Sequence, residues 1–163
     1  MTVGTVRTQG TELFVVDDIT TTDPTLVKMA CPTGITGLGG ARDQIEDTCL
    51  DTVGDKTYQA GLGNTGQVSV PFNLIPRDGS HQQLFAFKQD GRVMKWIACL
   101  SESGTDPTID TDGSWLAPAD RSSFVFDAYV SDVNIDIATN EIVRGTLTLQ
   151  RSGSVTFHAY TPA

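Results

Sequence analysis

The most restrictive feature of the sequence is a pair of long β-type runs toward its C-terminal end, at residues 122–138 and 141–150. In the second run Val143, Gly145, Leu147 and Leu149 fall on odd positions, with Thr146, Thr148 and Gln150 between them. Such alternation turns one face of a strand to a core and the other to water. In the first run Phe124, Phe126, Ala128 and Val130 are even, whereas Val133, Ile135 and Ile137 are odd. A strand changes frame only by an extra residue, so the pattern predicts a β-bulge or sharp bend near Ser131 and Asp132. Ala138-Thr139-Asn140 is the expected hairpin turn between the runs. Both runs exceed what a small sandwich needs, and the excess is expected to project and pair with a neighbour.

Shorter runs of β-branched and aromatic residues at 12–16, 25–30, 56–60, 67–75, 92–100 and 154–159 are separated by Gly, Pro, Asp and Asn clusters. That punctuation is typical of a mainly β domain. One helix is predicted over about residues 81–90, with Ser80 as N-cap, Gln83 completing a capping box and Gly91 ending it. Leu84, Phe85 and Phe87 form its apolar face, which is expected to dock on the run 92–100 around Trp96. Between Cys31 and Gly66 the chain is rich in Gly and Asp and reads as a long loop, with Ile35, Leu38, Ile45 and Leu50 as isolated apolar residues. Nothing requires a second domain, so residues 1–163 are read as one.

Charge and composition narrow the function. Twenty acidic against eleven basic residues give a net charge of -9, and the basic residues are scattered. Binding nucleic acid by phosphate neutralisation needs clustered Lys and Arg, so it is not expected. No apolar run approaches the roughly 20 residues of a membrane-spanning helix, and the N-terminal residues lack the basic and apolar regions of a secretory signal. Three cysteines without a CxxC pair, Cys31, Cys49 and Cys99, suggest small buried hydrophobes rather than a disulfide scaffold or zinc site.

No catalytic constellation stands out. His81 reads as an exposed polar residue in the first helical turn, and His158 lies on a terminal strand far away in sequence. Asp110-Thr111-Asp112-Gly113 fails the calcium-loop pattern at both ends, at Thr108 and Ala119. Asp17-Asp18 and Asp132 with Asp136 are candidate carboxylate pairs, but a glycosidase dyad calls for an aromatic-lined cleft and aromatics are only 7 %. The chain is therefore read as a non-enzyme without cofactors or metals.

Several stretches in order resemble the tail tube (major tail) proteins of long, non-contractile-tailed bacteriophages. They are Gly10-Thr11-Glu12-Leu13-Phe14-Val15-Val16; Cys31 to Gly40 with its Gly37-Leu38-Gly39-Gly40; Asp43-Gln44-Ile45-Glu46-Asp47-Thr48; Gly61 to Gly66; and Leu147 to Phe157 with its Ser152-Gly153-Ser154-Val155-Thr156-Phe157 ending. The resemblance implies a β-sandwich or barrel-like core with one flanking helix and a long loop. It also implies six-membered rings that stack into a tube and let DNA pass down the lumen without specific binding. Partners would be further copies and the tape measure, terminator and distal tail proteins; the location would be the virion tail, assembled in the host cytoplasm. Candidate ring contacts are Ile35, Leu38, Ile45, Leu50, Trp115 and Leu116. Two other readings remain: a monomeric β-sandwich module binding carbohydrate, for which Trp115 is the one candidate platform, and a tail terminator or tube initiator of similar architecture.

Overall fold

The computed structural model describes residues 4–18, 22–110 and 114–160. Eleven strands and one helix follow in the order β1 (Glu12–Asp17), β2 (Thr25–Lys28), β3 (Arg42–Glu46), β4 (Tyr58–Gly63), β5 (Gln67–Asn73), α1 (Gly79–Asp90), β6 (Met94–Cys99), β7 (Thr108–Ile109), β8 (Trp115–Leu116), β9 (Ser123–Asp136), β10 (Arg144–Arg151) and β11 (Thr156–His158). The main sheet runs β2-β1-β6-β9-β10-β5, with β11 also paired to β9, and every pairing is antiparallel.

The sheet turns on β9. Its first half pairs with β6 as far as Ala128 and with β11, and its second half pairs with β10. The frame change sits where the alternation places it: Thr148 faces Asp132 and Leu149 faces Val130, leaving Ser131 as the extra residue. Phe126, Ala128 and Val130 are buried before the bulge and Val133 after it. The strand thus keeps one face inward while it bends. Side chains from both ends of the sheet meet in one core: Leu13 and Val15 from β1, Val68, Val70 and Phe72 from β5, Trp96 from β6, Leu147 and Leu149 from β10. Each such side chain contributes about 1.5–3 kcal/mol by leaving water. Trp96 also satisfies its indole N–H on the Ala128 carbonyl at 3.2 Å. Gly145 fits its slot because Phe72 lies across it: a Cβ there would stand 2.4 Å from the ring Cζ.

The helix differs from expectation in three respects. Its N-cap is Asp78, whose carboxylate accepts from the Ser80 N–H at 2.9 Å. Ser80, the expected cap, instead accepts from the Ala30 N–H and donates to Asp78. The inward face is His81, Leu84 and Phe87, spaced by three, while Phe85 lies exposed. The docking partner is chiefly β9, reinforced by a 3.0 Å Lys88–Asp132 ion pair, rather than β6. Gly91 ends the helix in the left-handed conformation, as expected.

Two further readings need correction. The region from Cys31 to Gly66 is not a long loop. Residues 31–36 run along the outer edge of β5, with Thr33 and Thr36 N–H groups donating to Pro71 and Ser69, and β3 and β4 then form a separate hairpin. Of the cysteines only Cys99 is buried, where burial pushes its thiol up to about 11; Cys31 and Cys49 are exposed.

Candidate functional site

The β3–β4 hairpin is the most distinctive surface. All five residues of β3 and five of the six in β4 are exposed, and among the described residues these strands pair only with each other. A period-2 pattern is absent because neither face covers a core. The hairpin is held internally: the Asn64 N–H donates to Ala41 at 2.8 Å, the Asp47 N–H to Thr57 at 3.1 Å, and the Thr57 N–H to the Thr48 hydroxyl at 2.9 Å. Lys56 pairs with Glu46 at 3.3 Å, and Gln59 donates to Asp47 at 2.7 Å. Hydrogen bonds from Thr57 and Gln59 hold the Asp47 carboxyl below its usual range. Beyond these bonds the tip is bare, with Leu50 and Val53 as exposed as in an unfolded chain. At about 3.3 Å per residue the paired strands alone reach about 20 Å.

Of the six candidate contacts, the structure brings Ile45 and Leu50 together on this hairpin, Ile45 half-exposed on β3 and Leu50 at the tip. Leu116, also exposed, lies apart on β8. Ile35 and Leu38 are partly buried against the chain's own core, just before the hairpin begins. Trp115 is partly buried against a second, smaller cluster of Phe14, Ile97, Cys99 and Val125, and meets His158 edge-on at 5.3 Å.

Two functional features escaped sequence reasoning. Arg121 is fully buried and makes five hydrogen bonds: Nε to Leu100 O at 2.7 Å, Nη1 to Thr105 O at 3.1 Å and to Glu12 at 3.3 Å, and Nη2 to Cys99 O at 3.1 Å and Gly10 O at 3.3 Å. It ties the strand ends at that side into one unit. Burial works against the Glu12 charge, but hydrogen bonds and charges from Lys28 and Arg121 outweigh it, so the Glu12 carboxyl is held below its ordinary 4.5. Arg151, at the end of β10, is 5 % exposed and donates to the Leu38 and Gly39 carbonyls at the hairpin root. A signal for Arg151 existed: it continues the inward parity of Gly145, Leu147 and Leu149.

The histidine and carboxylates weighed for chemistry hold structural contacts. His81 is buried, not exposed as expected: Nδ1 accepts from the Ile75 N–H at 3.0 Å, which leaves Nε2 to donate to Ala30 O at 2.6 Å. It is a structural pin between helix and sheet. Asp17 accepts from Gln83, Asp18 lies 3.7 Å from Arg92, and Asp132 is paired with Lys88. Among the described residues no group of three or more His, Cys, Asp or Glu is placed to hold a metal, and no helix is long and apolar enough to cross a membrane. Three residues of the calcium-like segment, 111–113, lie outside the described ones.

The sequence matches the profile of the family described as "Phage tail tube, TTP, lambda-like" over residues 4–161. It is 32 % identical over 152 residues to "Structural protein 3" of Pseudomonas phage PAJU2, covering 91 % of this chain and 90 % of that one. Among solved structures the fold is similar to the SPP1 tail tube, with a TM-score of 0.63 at 11 % identity, covering 97 % of this chain and 81 % of that one. It is similar too to a chain in the tail of a gene transfer agent particle resolved with C6 symmetry, with a TM-score of 0.65 at 11 % identity and coverage of 94 % and 98 %. A chain of the anti-feeding prophage baseplate gives 0.66 at 10 % identity, covering 99 % and 100 %.

Proposed function

We propose, from the premise that this chain belongs to the lambda-like phage tail tube family, that its copies close into six-membered rings which stack into the tube of a long, non-contractile tail, with DNA passing down the lumen. The protein is a structural component of the virion tail, not an enzyme. The β3–β4 hairpin carries the finer reading: an exposed, internally bonded arm with Leu50 and Val53 bare at its tip has no use in a monomer. Burying that tip against the next ring gives it one. Ile45, Leu50 and Leu116 supply ring contacts directly, whereas Ile35, Leu38 and Trp115 shape them from half-buried positions.

The sheet margins support ring closure. In the described residues the outer edge of β2 has no partner strand, and neither does the far edge of β11. Unpaired edges invite strand addition, and closing them between copies removes that hazard. The net charge of -9 suits a lumen past which a polyanion slides without adhering. Assembly in the host cytoplasm, with tape measure, terminator and distal tail proteins as partners, follows from the same reading.

A terminator is the second reading, since the fold is also similar to a chain of a contractile injection system's sheath/tube terminator assembly, with a TM-score of 0.64 at 15 % identity. Negative-stain microscopy of the purified protein at high concentration, with light scattering for mass, tests both. Uniform six-fold rings that lengthen into tubes are expected. Single rings that never stack would favour the terminator, and monomers at every concentration, even with distal tail proteins added, would set rings aside.

A further inference from the structure

At the hairpin root lies a pocket of about 510 Å³, walled by Gly39, Gly40 and Arg42 on the incoming side, Asn64 on the outgoing side, and Arg151 and Ser154 at the end of β10. It contains two arginines and no acidic residue, in a chain with nearly twice as many acids as bases. Arg151 is 5 % exposed, its Nε has no hydrogen-bond partner, and no carboxylate lies within ion-pair distance of it or of Arg42 among the described residues. A buried guanidinium answered only by main-chain carbonyls keeps an unbalanced charge, which an incoming anion would neutralise.

The opposite end of the same hairpin has the complementary excess. Glu46 and Asp47 at its neck are engaged by Lys56 and Gln59, but Asp51 and Asp55 beyond them have no ion-pair partner among the described residues. They flank the bare Val53 and follow the bare Leu50. We infer that the root pocket receives a carboxylate from the hairpin tip of a second copy of this chain, Asp51 against Arg42 and Arg151, with Leu50 covering the glycine wall. The inference rests on the tube reading above and names the socket for its arm. A hairpin cannot fold its tip into its own root, so the contact forms only between copies and is head-to-tail.

The test uses the full chain with Cys31→Ser and Cys49→Ser. Cysteines introduced as Thr52→Cys and Ser154→Cys, which leave Asp51 in place, are expected to give a ladder of covalent dimers, trimers and larger species on mild oxidation. A control pairing Thr52→Cys with Asp90→Cys should not. In the untrapped protein, Arg42→Glu should slow polymer growth, read by light scattering, by about tenfold, and adding Asp51→Arg should restore it. No ladder above the control, or no restoration, overturns the socket. If wild-type tubes are seen while the ladder is missing, only this inference falls; if wild-type protein forms no rings at all, the tube reading falls with it. Retention of a short duplex oligonucleotide that is lost on Arg42→Glu would assign the pocket to phosphodiester and likewise overturn the proposal.

Discussion

Arg121 and Arg151 invite comparison: both are buried, both stand beside a strand end, and both bind main-chain carbonyls. They differ in what balances the charge. Arg121 has five bonds, one of them to the Glu12 carboxylate, itself steadied by Lys28 at 2.6 Å. Arg151 has two carbonyls, an idle Nε and no acid. A fully answered buried charge staples the protomer that contains it, whereas a half-answered one leaves an atom for a further partner to complete. The molecule thus has a finished side, around the start of β9, and an unfinished side, around the end of β10.

The largest stability effect is expected at the finished side. Arg121→Ala strips five bonds, leaves Glu12 with Lys28 alone and strands several buried carbonyls, so denaturant unfolding should show a loss of about 3–5 kcal/mol. A loss below about 1 kcal/mol would break the comparison. Arg151→Met should cost less, about 0–2 kcal/mol, because the lost carbonyl bonds are offset by removing an unbalanced charge. Its signature should be local: faster hydrogen exchange at Asn64 and the neighbouring hairpin root, with the β1–β6 amides unchanged.

Acid should separate the two sides again. The folded-state value of Glu12 is lowered, so its stabilisation is complete above its ordinary 4.5 and is lost as pH falls through the lowered value. Asp78 at the helix N-cap behaves alike, held down by the Ser80 hydroxyl and N–H. Amide exchange should therefore rise first around Arg121, the helix start and the Asp47 end of the hairpin, whereas the surroundings of Arg151, with no carboxylate partner, should respond little; uniform acid loosening would count against this. The smallest stability change belongs to Leu50→Asp and Ile45→Asp, within about 0.5 kcal/mol because both side chains already face water. Tube growth should nevertheless fail in both, and normal tubes from both would remove the hairpin from the ring contacts.

How much of this was legible in sequence depended on whether a residue faced a core. The Ser131 bulge was readable because Val130 and Val133 are buried on either side of it and alternation records burial. The β3–β4 hairpin was not, since all of β3 is solvent-exposed and leaves no alternation to read. His81 shows the opposite error: taken singly it reads as a surface residue, yet its spacing of three to Leu84 and six to Phe87 marks the inward face. Ile45 and Leu50 were picked out as apolar residues without a core, which is how the structure places them. The Arg42–Arg151 pocket was beyond reach because its walls come from three separated segments that only the folded register of β10 and the hairpin root brings together.

The hairpin also has an arrow. Its bare tip and its glycine-lined root are chemically unlike and lie at opposite ends of one element. Any filament in which tips point along the axis therefore terminates in two different surfaces, one presenting arms and the other sockets. Growth at the two termini is then inequivalent, and a single capping protein cannot fit both. On the socket inference, a cap for the arm-bearing terminus would offer an arginine-lined cleft, and a cap for the other would bring an acidic finger of its own.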